Sequence, residues 1–168
     1  ACGVDADDVR AGLLAFAPLE HRIEPCGQAR GIRFVNDSKA TNTDAVSKAL
    51  TAFAPGSVLI LLGGHDKGTE LADMASDVAA SARVAVCFGE AGERIAQALE
   101  AQGSALEVIR AEHMEQALDA AIARARPGDV VLLSPACSSF DEFSGYEERG
   151  RVFKGLVVQR IKAMEERQ

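Results

Sequence analysis

Seven consecutive residues, Asn36-Asp37-Ser38-Lys39-Ala40-Thr41-Asn42, carry two amides, a carboxylate, two hydroxyls and an ammonium, with no glycine. Two further stretches hold a similar mixture: Gly63-Gly64-His65-Asp66-Lys67-Gly68 and Ser134-Pro135-Ala136-Cys137-Ser138-Ser139-Phe140-Asp141. Ammonium and hydroxyl groups are directional donors to carboxylates and phosphates, so these stretches suit a polar, anionic ligand. Each also has a plain structural reading. Asn36-Asp37-Ser38 fits an Asx turn or helix cap, but a cap leaves Lys39 and Thr41 unexplained. Gly63-Gly64 fits a tight turn, Lys67 a solvated surface cation, Ser134-Pro135 an ordinary turn, and Ser138 or Ser139 a helix cap. The glycine pair is not a Walker A loop, because the G-x-x-x-x-G-K-[ST] spacing is absent. What raises the ligand reading is that all three stretches follow apolar runs of strand type.

Those runs fix the architecture that must position the polar groups. Acidic residues at 5–8 precede Val9, Leu13, Leu14 and Phe16, which predicts a short capped helix ended by Pro18. Residues 21–26 and 32–35, either side of Gly27-Gln28-Ala29-Arg30-Gly31, predict a β-hairpin. A helix is expected over 43–53. Strands are then expected at 58–62, 84–88, 105–109 and 130–133, alternating with helices at 71–80, 93–99, 114–125 and 147–165. Continuous apolar strands alternating with helices predict a Rossmann-like α/β fold. It is a doubly wound, mostly parallel sheet with helices on both faces and an N-terminal β-hairpin, formed by residues 1–168 as one domain. In such sheets ligands bind outside the carboxyl ends of the strands, where the three polar stretches fall.

Composition excludes several alternatives. A net charge of −7 over 168 residues argues against binding nucleic acid or an anionic membrane, both of which favour basic faces. No apolar run approaches the roughly 20 residues of a membrane span, and no signal peptide is visible. Cys2, Cys26, Cys87 and Cys137 are scattered, and Cys87 and Cys137 sit in apolar surroundings as small core residues. A reducing cytoplasm is the expected location. His21, His65 and His113 lack metal-ligand spacing, so no metal site is expected on this chain. Glu147-Glu148-Arg149 reads as a solvated or helix-end charge cluster.

The three polar stretches in this order resemble the C-terminal domain of the D-glutamate-adding Mur ligases. The matching pieces are Asn36 to Asn42, then Leu61-Leu62-Gly63-Gly64-x-x-Lys67, then Leu132 to Asp141 with Phe143. Tyr146-Glu147-x-Arg149-Gly150-x-x-Phe153 and His21-Arg22 extend the likeness over nearly the whole chain from about Leu13. Phe140 stands where the family pattern has leucine, and Tyr146 where it has phenylalanine.

The resemblance implies an ATP-dependent amide ligase. ATP phosphorylates the carboxylate of UDP-N-acetylmuramoyl-L-alanine, and the amine of D-glutamate attacks the acyl phosphate. It implies three domains, of which this would be the last, closing over the site. ATP and Mg would be bound mainly by a central domain carrying the P-loop that is absent here. The chain starts at Ala1 without methionine, and the expectation is an excised domain, monomeric and inactive alone. The resemblance places Arg22, Asp37, Lys39 and His21 towards ATP. It places Thr41 and Lys67 on the side-chain carboxylate of D-glutamate, and Ser139, Phe140 and Tyr146 at its α-carboxylate. Taken without the resemblance, the residues also allow a free-standing small-molecule binding module or a small nucleotide-dependent transferase.

Overall fold

A computed structural model describes residues 3, 5–15 and 19–166, with only the backbone of 13–15. A helix, α1 (Ala6–Ala15), comes first. The expected contributions of the Leu13, Leu14 and Phe16 side chains, of Pro18 and of Cys2 lie outside what is described.

The six-stranded sheet runs β1-β2-β6-β3-β4-β5. β1 (Glu24–Ala29) and β2 (Ile32–Asn36) form the antiparallel hairpin at one edge. β2, β6 (Val130–Ala136), β3 (Val58–Gly63), β4 (Ala82–Phe88) and β5 (Glu107–Arg110) are parallel. The connecting helices are α2 (Thr43–Leu50), α3 (Ala72–Ser81), α4 (Gly92–Glu100), α5 (Met114–Arg124) and, after β6, α6 (Tyr146–Glu165).

The strands sort their residues by parity, as a pleated sheet covered on both faces requires. Val58, Ile60 and Leu62 face one core with Val46, Met74, Ile95 and Leu99 from α2, α3 and α4. Leu59 and Leu61 face the other with Leu118, Phe153 and Val157 from α5 and α6. Cys87 is buried among apolar neighbours, which push its thiol up to about 12, as its core reading requires.

Three local expectations are corrected. The hairpin does not turn over Gly27–Gly31: β1 continues to Ala29, which pairs with Ile32, so the turn is the two residues Arg30-Gly31. Gly27 lies inside the strand beside a register shift that leaves Cys26 unpaired, a bulge. Ser134 and Pro135 are not a turn but belong to β6, and the third polar stretch leaves the sheet only after Ala136. Helix α2 stops at Leu50, with turns at 51–52 and a bend at 53.

Candidate functional site

The strands that end in polar stretches, β2, β6 and β3, are neighbours in the sheet. Three loops far apart in sequence therefore meet at one edge. The first begins at Asn36, whose Oδ1 accepts from the N–H of Ser38 at 3.1 Å in an Asx turn. The cap of α2 is Asn42, whose Oδ1 accepts from the Ala45 N–H at 2.9 Å. Asp37 is thus free of capping duty. Its N–H donates to the Leu133 carbonyl at 2.7 Å. Its carboxylate accepts from the Ile23 N–H at 3.2 Å and from the Ser134 hydroxyl at 2.8 Å. Burial pushes the Asp37 carboxyl above its ordinary range, against these bonds and the charge of Arg22.

The second loop needs its glycines. Gly64 has φ +128°, and a Cβ there would stand 2.2 Å from the Ser138 carbonyl oxygen. That approach lets the His65 N–H donate to the Ser138 carbonyl at 2.9 Å, which joins the second loop to the third. Asp66 is pinned by Arg94 through two bonds of 2.6 and 2.8 Å, and this pairing holds its carboxyl down to about 2. Lys67 remains exposed at the loop's edge, with its ammonium 3.4 Å from the Thr41 carbonyl.

Arg149 ties the loops together from behind. It is 0% exposed, not the solvated charge expected from its acidic neighbours. Its Nε donates to the Ser38 hydroxyl at 3.0 Å, and its Nη2 to the carbonyls of Ser38 at 2.9 Å and Cys137 at 3.0 Å. Burial brings the guanidinium down to about 10, still protonated at neutral pH. The Ser38 hydroxyl itself donates to the Tyr146 carbonyl at 2.8 Å. A sequence signal was available: Arg149, Phe153 and Val157 lie at i, i+4 and i+8 on the buried face of α6.

Two cavities open on this edge. One, of about 210 Å³, is lined by Thr41, Lys67, Ser138, Ser139, Phe140 and Tyr146. Five of these are the residues predicted for D-glutamate, and Ser138 is an addition. Neither serine hydroxyl caps a helix. Residues 139–145 form turns and bends, and among the described residues both hydroxyls lack a hydrogen-bond partner. Phe140 is 69% exposed at this edge.

The second cavity, of about 290 Å³, holds Arg22, Asp37 and Lys39 together with Asn42, Asp44 and Lys48. The two adjoin through Lys39, whose ammonium lies 5.3 Å from the centre of the Tyr146 ring.

His21 was grouped with Arg22, Asp37 and Lys39, but it lines neither cavity. It is 3% exposed, and its Nδ1 is 2.9 Å from the Asn36 amide nitrogen. Its ring meets Tyr146 edge-on at 6.0 Å. Gly150 makes the room, since a Cβ there would be 2.1 Å from His21 Nδ1. Packing against α6 therefore withdraws His21 from the 290 Å³ cavity. Among the described residues no cluster of three or more His, Cys, Asp or Glu side chains could hold a metal ion.

Residues 21–137 match the family model described as Mur ligase, glutamate ligase domain. The chain belongs to the Mur ligase family. It is 43% identical, over 93% of its length, to a UDP-N-acetylmuramoylalanine--D-glutamate ligase of Acidobacterium capsulatum. Over 92% of its length it is 46% identical to the enzyme of that name from Salinibacter ruber. It spans about a third of either relative, 33% in each case. Among solved structures the fold matches the UDP-N-acetylmuramate-alanine ligase MurC of Thermotoga maritima. The TM-score is 0.66 at 18% identity, over 96% of this chain and 34% of that one.

Proposed function

We propose that this chain is the C-terminal, D-glutamate-binding domain of a three-domain, ADP-forming ligase. The enzyme joins D-glutamate to UDP-N-acetylmuramoyl-L-alanine in peptidoglycan precursor synthesis. It acts in the cytoplasm as a monomer, and this domain closes over ATP held mainly by a central domain. The observation that carries the reading is the 210 Å³ cavity, which combines one exposed ammonium, from Lys67, with two unpaired serine hydroxyls. A dicarboxylate needs donors at both ends. In this reading Thr41 and Lys67 take the side-chain carboxylate, while Ser139 and the backbone around Phe140 and Tyr146 take the α-carboxylate.

Holding both ends of D-glutamate fixes its amine. The amine attacks the acyl phosphate of the acceptor, the new C–N bond forms, the C–O bond to phosphate breaks, and orthophosphate departs. Aim dominates the rate of such a step. On the other side of Lys39, Arg22 and Lys39 offer cations to phosphates and Asp37 offers an acceptor to a ribose hydroxyl. Lys39 stands between the two ligands. ATP enters as a substrate. In this reading magnesium comes with the ATP phosphates, which the central domain mainly holds. A Mur-type P-loop is absent from the sequence, so this chain alone releases no phosphate from ATP.

In the full-length ligase that carries this domain, Lys67→Ala is expected to raise KM for D-glutamate about ten- to a hundred-fold, the size of a lost charge-assisted bond. KM for ATP should stay unchanged. Steady-state kinetics with each substrate varied in turn checks this. A rise confined to ATP would assign Lys67 to the nucleotide and overturn the assignment.

A further inference from the structure

In the third loop three backbone carbonyls are held while two serine hydroxyls are left unpaired. The Cys137 carbonyl accepts from Arg149 Nη2 at 3.0 Å, and the Ser138 carbonyl from the His65 N–H at 2.9 Å. The Ser139 carbonyl accepts from the N–H groups of Phe143 at 2.7 Å and Glu142 at 3.2 Å. Three successive carbonyls are thus held by three different parts of the molecule. Ser138 and Ser139 are 6% and 1% exposed and both residues line the same cavity, and their buried hydroxyls have no partner among the described residues.

A buried serine ordinarily donates to a nearby carbonyl, because an unpaired buried hydroxyl costs stability. Two adjacent serines that both decline this option, on a backbone already fixed, have the makings of a preorganised donor pair. One donor suits each oxygen of a carboxylate. Rotation about χ1 can turn a serine hydroxyl without moving the backbone.

We infer that Ser138, as well as Ser139, is an anion-binding residue of this cavity, the two hydroxyls donating to the two oxygens of one carboxylate. The inference rests on the reading of the cavity as the D-glutamate site and adds a residue to it. Ser138 then helps set specificity: a ligand lacking this carboxylate leaves two buried hydroxyls unpaired and binds weakly.

The test is an NMR titration of the chain with D-glutamate, run on wild type, Ser138→Ala, Ser138→Cys and Ser139→Ala, with a thermal melt of each. Ser138→Ala is expected to weaken D-glutamate about ten-fold, the effect of removing a hydrogen bond to a charged group. Its melting temperature should be unchanged or higher, since the hydroxyl has no partner to lose. Ser138→Cys, close in shape but a weak donor, should also weaken binding. If the Ser138 variants bind as wild type does while Ser139→Ala is weakened, the inference falls and the cavity reading stands. If folded wild type takes no D-glutamate, both fall. A lower melting temperature for Ser138→Ala together with wild-type affinity for Ser138→Cys would make Ser138 structural, and would also overturn the inference.

Discussion

The molecule has a larger cavity than either of those on its polar edge. It occupies about 580 Å³ at the opposite ends of the strands, where Ile32 begins β2 and Pro127 approaches β6, and Asp119, Arg160 and Met164 help to line it. Its charges are already spoken for. Arg160 donates to Asp119 at 2.7 and 2.9 Å and to Glu115 at 2.7 Å, and Arg30 donates to the Met164 carbonyl. The small cavity near Lys67 is the reverse: among the described residues its two serine hydroxyls stand unpaired, beside an exposed ammonium. Volume alone does not mark a binding site. Polar groups held in place but left without partners do so better, because folding accepts their cost and a ligand can recover it.

The contrast can be broken at its rear support. Arg149→Ala removes a fully buried side chain and leaves the carbonyls of Ser38 and Cys137 without their donor. Stability should fall by about 3 kcal/mol, within the range for large-to-small buried changes, and urea denaturation measures it. A loss below about 1 kcal/mol would mean that the three loops hold together without it.

A smaller effect concerns pH. Burial raises the Asp37 carboxyl in the folded state, so the folded state keeps its proton to higher pH than the unfolded chain does. Its contribution to stability is therefore most favourable at low pH and declines as pH rises from the ordinary aspartate range through the raised value. Asp66 has the opposite sign. Its folded value of about 2 lies below the ordinary 3.8, so its contribution is present above 3.8 and is lost as pH falls towards about 2. Denaturation midpoints over this acidic range should show the Asp37 slope vanish in Asp37→Asn and the Asp66 slope vanish in Asp66→Asn. The smallest effect is expected at the far cavity. Arg160→Ala breaks partly exposed ion pairs there and should cost no more than about 1 kcal/mol, with D-glutamate kinetics of the full ligase unchanged.

Much of this arrangement was legible in the sequence. The run Val58–Leu62 is apolar at every position, as a strand covered on both faces is, and its alternation with helical patterns pointed to the parallel sheet. The convergence of the loops followed from their positions after such strands. Their adjacency did not, because it depends on β6 inserting between β2 and β3, a matter of strand order that no local pattern encodes. Arg149 was misread for a different reason. Its neighbours Glu147 and Glu148 are charged, and along the sequence an arginine beside them looks solvated. Only the i+4 spacing to Phe153 reveals the buried face. The resemblance places His21 with Arg22 towards ATP, yet the two diverge: His21 packs under α6 and Arg22 faces the 290 Å³ cavity.

The central claim is that the unsaturated cavity, not the larger saturated one, takes the amino-acid substrate. The most direct test is a map of amide and side-chain NMR shifts on titrating the chain with D-glutamate. The expected perturbations lie at Thr41, Lys67, Ser138, Ser139 and Tyr146, with Ile122, Ala125 and Met164 unmoved. Saturable shifts confined to Ile122, Ala125 and Met164, or none at the five cavity residues, would contradict the account.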